Sequence, residues 1–333
     1  MIPGSAASRQ IPRWQIELAN AITDPAQLLR LLELDLALLP AAQATAARFS
    51  LKVPRGFVAR MRKGDPQDPL LQQVLPLAAE TLSSPGFVAD PVGDRKTMAA
   101  PGLLHKYAGR VLLITTGACG IHCRYCFRRE FPYSEAKAGD WQQALDYLVS
   151  DTSISEVILS GGDPLALSNR RLKVLLTQLE SITHLQRLRI HSRQPIVLPE
   201  RIEPELLALL SNSRFLPILV LHANHPQEIN DAVNMALKQL AAAGFTLFNQ
   251  AVLLKGINDS ATVLGKLSET MFSAGVIPYY VHLLDRVRGT AHFQVEESQA
   301  LMIMEEMRNR LPGYLVPRLV REQAGMFAKI PVF

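Results

Sequence analysis

Apolar positions along the chain change their rhythm near residue 110. Ahead of it, Asp24-Pro25-Ala26-Gln27 supplies an N-cap, a proline at the first helical position and a glutamine three residues past the cap, and a Leu-rich stripe follows. That arrangement predicts a helix, and a second is expected over 41–49. From there to residue 105, recurrent Pro and Gly (VPRGF, DPQDPLL, SSPGF, APGLL) read as a wrapping segment with short helices. From Arg110 onward six short runs rich in β-branched residues or leucine recur: RVLLITT, EVILSGG, RLRIHSR, ILVLHAN, TLFNQAVLL and IPYYVHLL. Helical stretches fall between them near 140–150, 168–182, 204–213, 226–243 and 259–274, with Gly244 and Gly275 where the last two should stop.

Strands alternating with helices of this length predict parallel βαβ units with helices covering the sheet. The polar residues gather where the runs end: Thr115 and Thr116, Ser160 to Asp163, His191 to Arg193, His222 to Asn224, Asn249 and Gln250, His282 to Asp285. In a (β/α) barrel that carboxyl-end rim is the active face. A doubly wound open sheet would concentrate its signal in one glycine-rich turn, and no GxGxxG follows the first strand. The expectation is an α/β chain folded as a partial (β/α)6 TIM-like barrel with a helical N-terminal region. Residues 1–100 are read as the helical, wrapping part and 101–333 as the barrel. A further apolar run, YLVPRLV at 314–320, follows a helix over 296–310 and would cap or close the open side.

Composition acts mainly by exclusion. Apolar residues make up 48% and charged residues 20%, as in ordinary globular proteins. The formal charge is +5, from 35 basic against 30 acidic residues, with no Lys/Arg run of the length of a nucleic-acid tail. Only 6% of residues are aromatic, so an RNA-binding module in translation gains little support. MIPGSAASRQIPRW has no apolar stretch before a cleavage site, and the most apolar window, LLRLLELDLALLPAA, is broken by Glu33 and Asp35. A cytoplasmic protein without membrane or nucleic-acid partners is expected.

Chemistry concentrates in TTGACGIHCRYCFRRE, residues 115–130, which contains all 3 cysteines of the chain: Cys119, Cys123 and Cys126. An odd, clustered set in a long chain does not describe a disulfide scaffold. Structural zinc wants four ligands, and His122 sits awkwardly inside the segment to be the fourth. A thioredoxin-like pair would leave Cys119 unexplained. An iron–sulfur cluster takes thiolates at such spacings, and three of them on a four-iron cluster leave one iron open. Arg124, Arg128 and Arg129 offer a positive surround for an anionic centre.

CxxxCxxC with an aromatic residue, Tyr125, before the last cysteine, just past the first strand of a partial barrel, resembles the radical S-adenosylmethionine superfamily. The resemblance implies a [4Fe-4S] cluster on Cys119, Cys123 and Cys126, whose open iron chelates S-adenosylmethionine. When reduced by an external electron donor, it yields a radical that abstracts hydrogen. SGGDPL then implies that Gly161, Gly162 and Asp163 face the methionine amino group, with His191 and Gln250 as further members of the pocket.

Within that superfamily, LLHKYAGRVLLITTGACGIHCRYCFRR, SGGDPL, IHSRQPIVLPERI, HANHPQEI, NQAVLLKGIND, YYVHLLDRVRGTAHF and AKIPV resemble the lysine 2,3-aminomutase family over about two thirds of the chain. The resemblance implies pyridoxal 5'-phosphate as second cofactor, carried by Lys329, with Arg110 on its phosphate. It implies that Arg128 clamps the substrate carboxylate while Asp285 and Glu322 face the distal ammonium of L-lysine. Glu322 stands where the family has an aspartate, and the approach to Lys329, Ala324 to Ala328, has one glycine where the family has several. Two acids at the distal end argue for lysine over glutamate. The short end after Lys329, with VPRGF and HKY, is similar to the bacterial branch that makes (R)-β-lysine to modify translation elongation factor P. A catabolic lysine or glutamate 2,3-aminomutase is the alternative.

Overall fold

The computed structural model describes residues 11–136 and 139–333. Its α/β architecture is organised by one ten-stranded sheet whose strands lie in sequence order. Seven strands run parallel: β3 (Arg110–Thr116), β4 (Glu156–Gly161), β5 (Arg187–Ser192), β6 (Pro217–Leu221), β7 (Thr246–Val252), β8 (Ile277–His282) and β9 (Arg318–Arg321). Antiparallel strands finish both edges, β1 (Met98–Ala100) and β2 (Leu103–Tyr107) beside β3, and β10 (Ile330–Pro331) beside β9.

The first six parallel strands coincide with the six expected runs. The intervening helices Gln142–Ser150, Asn169–Glu180, Pro204–Ser211, Asp231–Ala242 and Ala261–Ser273 lie within a few residues of the expected positions. Gly244 and Gly275 follow the last two with φ of 85° and 84°, the left-handed conformation that ends a helix. Two expectations change. The run YLVPRLV supplies a seventh parallel strand, β9, and not merely a cap. The segment before residue 105, read as a wrapping stretch with short helices, runs into the β1–β2 hairpin. Gly102 makes that hairpin possible: its φ is 75°, and a Cβ there would stand 2.9 Å from the Ala136 carbonyl.

Packing explains which residues form the body. Leu113, Leu159, Leu188, Leu219, Leu247 and Val281, from successive strands, join Leu172, Leu206, Leu237 and Leu267 of the covering helices in one core. A second core gathers the N-terminal part: Trp14, Leu28, Leu29, Val53, Phe57 and Leu71 pack with Ile121 of the cysteine loop and with Val197 and Leu198. Asp24 caps the helix Pro25–Leu31 as its sequence announced, accepting from the amides of Ala26 and Gln27. The N-terminal segment is thereby moulded onto the cysteine loop, and Arg124 N donates to Gln73 O and His122 N to Lys52 O.

Candidate active site

Parallel strands leave free backbone groups and loops at their carboxyl ends, and here those ends and the loops beyond them surround a cavity of about 540 Å³. Every residue given a cofactor, metal or substrate role by the resemblance lines it: Cys119, Cys123 and Cys126; Arg110 and Arg128; Gly161, Gly162 and Asp163; His191 and Gln250; Asp285, Glu322 and Lys329. Asp94, Lys106, Arg193, His222 and His282 line it as well.

The cysteine loop leaves β3 and is held against the end of β4. Gly162 N donates to Thr116 O at 2.7 Å and Asp163 N to Ala118 O at 2.8 Å. A Cβ on Gly162 would fall 2.3 Å from Ala118 O, so the glycine pair is the surface on which the loop rests. The Asp163 carboxylate turns the other way. It accepts from Ser192 Oγ (2.7 Å) and from the amides of Leu165 (3.0 Å), Arg193 (2.7 Å) and Gln194 (3.1 Å), and joins the ends of β4 and β5. Burial lifts its pKa to about 6 against those bonds. With its oxygens thus engaged, the strand end meets the cavity chiefly through backbone.

The three thiols are half-buried and free. Burial raises the Cys119 and Cys126 pKa values, the latter to about 11, and each neighbouring thiolate adds to the effect. Cys119 and Cys126 are therefore held protonated unless a compensating cationic centre lies against them. Among the described residues no three of His, Cys, Asp and Glu converge to hold a single metal ion. His122 is engaged outside the thiol set: its Nδ1 is 2.9 Å from Ser50 O, and its ring stacks on Phe49. The expected positive surround is already largely spent within the protein. Arg124 is fully buried against Glu80, with its Nε 2.8 Å from Oε1, and Arg129 Nη2 is 2.7 Å from the same carboxylate.

Across the cavity runs an alternating chain of charges that the sequence did not reveal. Arg128 Nε contacts Asp94 Oδ2 at 2.7 Å, and Lys106 Nζ bridges Asp94 Oδ1 (2.6 Å) and Glu322 Oε1 (3.0 Å). Lys329 Nζ closes it on Glu322 Oε2 at 2.9 Å. Burial alone would raise the carboxyl pKa values, but Lys329 and Lys106 hold Glu322 below the usual range, and Arg128 and Lys106 do so for Asp94. Asp285 is different. It makes no ion pair among the described residues: Arg288 turns to Glu130 and Arg321 to Glu297. Burial, with Glu322 nearby, lifts its pKa to about 7.

Three histidines occupy the middle. Gln250 Nε2 donates to His222 Nε2 at 2.8 Å, and His191 lies edge-on to His222. Burial lowers the pKa values of His191, His222 and His282, that of His222 to about 3, so all three are neutral imidazoles. His222 and His282 stand at strand ends whose polar character was visible; Asp94 lay in a stretch whose pattern carried no signal, and Lys106, within the quoted LLHKY, was given no role. At the amino end of β3, Arg110 makes no ion pair among the described residues, and its guanidinium lies 4.7 Å from the centre of the Tyr107 ring.

No family model matches the chain. Among curated proteins it is similar to the L-lysine 2,3-aminomutase of Escherichia coli (strain K12), 47% identical over 322 residues that cover 96% of this chain and 94% of that protein. The L-lysine 2,3-aminomutase of Haemophilus influenzae is 44% identical over 98% of this chain and 97% of its own. That of Clostridium subterminale is 36% identical over 83% of this chain but only 67% of its own length. With such identity over nearly its whole length, the chain belongs to the L-lysine 2,3-aminomutase family of enzymes.

Proposed function

We propose that this protein moves the α-amino group of L-lysine to the β-carbon, giving (R)-β-lysine for modification of translation elongation factor P. The observation that carries the reading is a single cavity shared by the three-cysteine loop and Lys329, with an unpaired acid, Asp285, in its wall. The closer, near-full-length likeness to the Escherichia and Haemophilus relatives than to the clostridial one supports the short bacterial branch. We read the sheet as a partial radical S-adenosylmethionine barrel. Its support is that each of the seven parallel strands, or the residues just past it, reaches the same cavity. Residues 1–100 serve as an N-terminal region against a 101–333 barrel, with β1 at the end of the first pairing with β2 at the start of the second. The reading includes a cytoplasmic location and an external one-electron donor; no helix among the described residues is long and apolar enough to cross a membrane.

Cys119, Cys123 and Cys126 would hold a [4Fe-4S] cluster. Thiolates that sit on different irons need not converge on one point, which suits this set better than a lone zinc ion. S-adenosylmethionine would lie between the cluster, Gly161 to Asp163, His191, His222 and Gln250. Lys329 would carry pyridoxal 5'-phosphate, with Arg110 on its phosphate through forked donors. When bound, these groups would supply an organic radical that takes a hydrogen atom and a carbonyl carrier for the migrating nitrogen. The protein's own part is positioning and exclusion of water. Asp94 locks one edge of Arg128, and Ser160 Oγ at 3.1 Å fixes Nη1, which orients the guanidinium for the substrate carboxylate. Asp285 receives the distal ammonium. Glu322 holds Lys329 and Lys106 when the lysine amine is free, and turns to the substrate once Lys329 is engaged. A glutamate would set a carboxylate against Asp285, which favours lysine over the glutamate alternative.

The test is anaerobic reconstitution with iron, sulfide, S-adenosylmethionine, pyridoxal phosphate and reductant, followed by chiral analysis after incubation with L-lysine or L-glutamate. β-Lysine in the R configuration is expected, with little turnover of glutamate. Absence of any β-amino acid from iron-loaded protein would remove the proposal, and preference for glutamate would select the alternative.

A further inference from the structure

At the end of β5 the chain turns through Arg193 into the short helix Gln194–Val197, and the Arg193 side chain is buried. Its Nη1 lies 2.7 Å from Cys123 Sγ and also donates to the Tyr125 hydroxyl. From behind, its Nη2 is fixed by Gln73 Oε1 at 2.7 Å and Glu228 Oε2 at 3.0 Å. These backing groups are themselves anchored. Glu228 Oε1 accepts from the amides of Asn224 (2.9 Å) and His225 (3.1 Å), and Gln73 Oε1 also accepts from Asn224 Nδ2 at 3.0 Å. The direction of the N–H at sulfur is therefore imposed by the network and does not depend on the sulfur. Arg124, Arg128 and Arg129 direct their donors to Glu80, Asp94, Ser160 Oγ and backbone carbonyls; Arg193 alone of these arginines donates to a cysteine sulfur among the described residues.

We propose that Arg193 is a positioning residue that raises the reduction potential of the centre bound by Cys123, through the hydrogen bond from Nη1 to its sulfur. The proposal rests on the reading of the three cysteines as cluster ligands. Reduction transfers one electron from an external donor, which is oxidised, to a centre already anionic from its thiolates; no bond forms or breaks. The added electron density falls partly on sulfur, so a fixed donor stabilises the reduced form more than the oxidised one.

The test compares wild-type protein, Arg193→Lys and the double variant Arg193→Met/Glu228→Gln, all reconstituted anaerobically. The double variant leaves net charge unchanged and strands neither partner as a lone buried charge, so its shift reports the hydrogen bond. Iron and acid-labile sulfide are assayed first, and the midpoint is then read by an electron-paramagnetic-resonance titration with dithionite. Both variants are expected to match wild-type iron content with more negative midpoints. The double variant should lose about tenfold in the reduction equilibrium, about 59 mV for a one-electron couple, and the lysine variant less. An unchanged or more positive midpoint at full iron content overturns the proposal. Folded variants that take up no iron also overturn it and assign Arg193 to assembly. If the double variant does not fold, the lysine variant decides by the same criteria. Wild-type protein without iron defeats the cluster reading itself.

Discussion

In the proposed reading Asp285 binds the distal ammonium of lysine and Lys329 carries pyridoxal phosphate, and each role is testable alone. A charge-assisted contact to the distal ammonium contributes roughly 1.5–3 kcal/mol. Asp285→Asn should therefore lower kcat/KM for lysine by about one to two orders of magnitude. The pH dependence has a definite sign. In the empty cavity burial raises the Asp285 pKa to about 7, and a bound ammonium favours the ionised carboxylate. Below pH 7 binding must expel a proton, so KM for lysine should rise as pH falls, by up to about tenfold per unit. Asp285→Asn should flatten that dependence, and steady-state kinetics between roughly pH 6 and pH 8 would show it. A wild-type KM flat over that range would mean that Asp285 does not bind the cation. For Lys329, borohydride reduction of protein loaded with pyridoxal phosphate, followed by peptide mapping, should find the pyridoxyl label there. A label on Lys255 or Lys266 would overturn the assignment. These residues were accessible from sequence because they lie within the stretches YYVHLLDRVRGTAHF and AKIPV that carry the family resemblance. Their electrostatic inequality was not: the pairing of Glu322 with Lys106 and Lys329 depends on elements far apart in the chain.

The ion chain joins the segment before β1, strand β2, the cysteine loop and the connection between β9 and β10. Lys106→Met would leave Asp94 and Glu322 without their shared cation. Breaking such a pair costs about 3–5 kcal/mol when fully buried, and roughly 2–4 kcal/mol with the residual solvent contact of Lys106 and Glu322. Cofactor-free Lys106→Met should melt correspondingly earlier by calorimetry. Because Asp94 and Glu322 both have lowered pKa values, their contribution is complete above about pH 4.5 and is lost as pH falls further. Gly162 tests another joint: Gly162→Ala drives a methyl group into Ala118 O and should displace the cysteine loop, which iron content after reconstitution would report. The helices and first six parallel strands were legible because period and length agree along each segment. The hairpin Met98–Tyr107 was not, since its short strands are separated by Pro101 and Gly102, pair with each other, and join the sheet only where β2 meets β3. Strand β9 was half legible, as an apolar run too short to declare its partner.

At the scale of the whole molecule, the sheet gathers strand ends scattered over more than two hundred residues around one cavity, and the N-terminal segment seals the cysteine loop from outside. The polar endings of the six runs pointed to that rim, but sequence spacing carries no information on which ends face each other or which charges cancel. Asp94 illustrates this: it is a buried partner of Arg128 and Lys106 supplied by a stretch that reads as a loop. The central claim is that one cavity carries the amino group from the α- to the β-carbon of a single lysine molecule. A crossover measurement addresses it most directly. Reconstituted protein is given a mixture of L-lysine labelled with nitrogen-15 at the α-amino group and L-lysine labelled with carbon-13 throughout, and the β-lysine is analysed by mass spectrometry. The account predicts β-lysine carrying one label or the other, never both. Doubly labelled β-lysine, or no β-lysine from protein with its full complement of iron and pyridoxal phosphate, would contradict it.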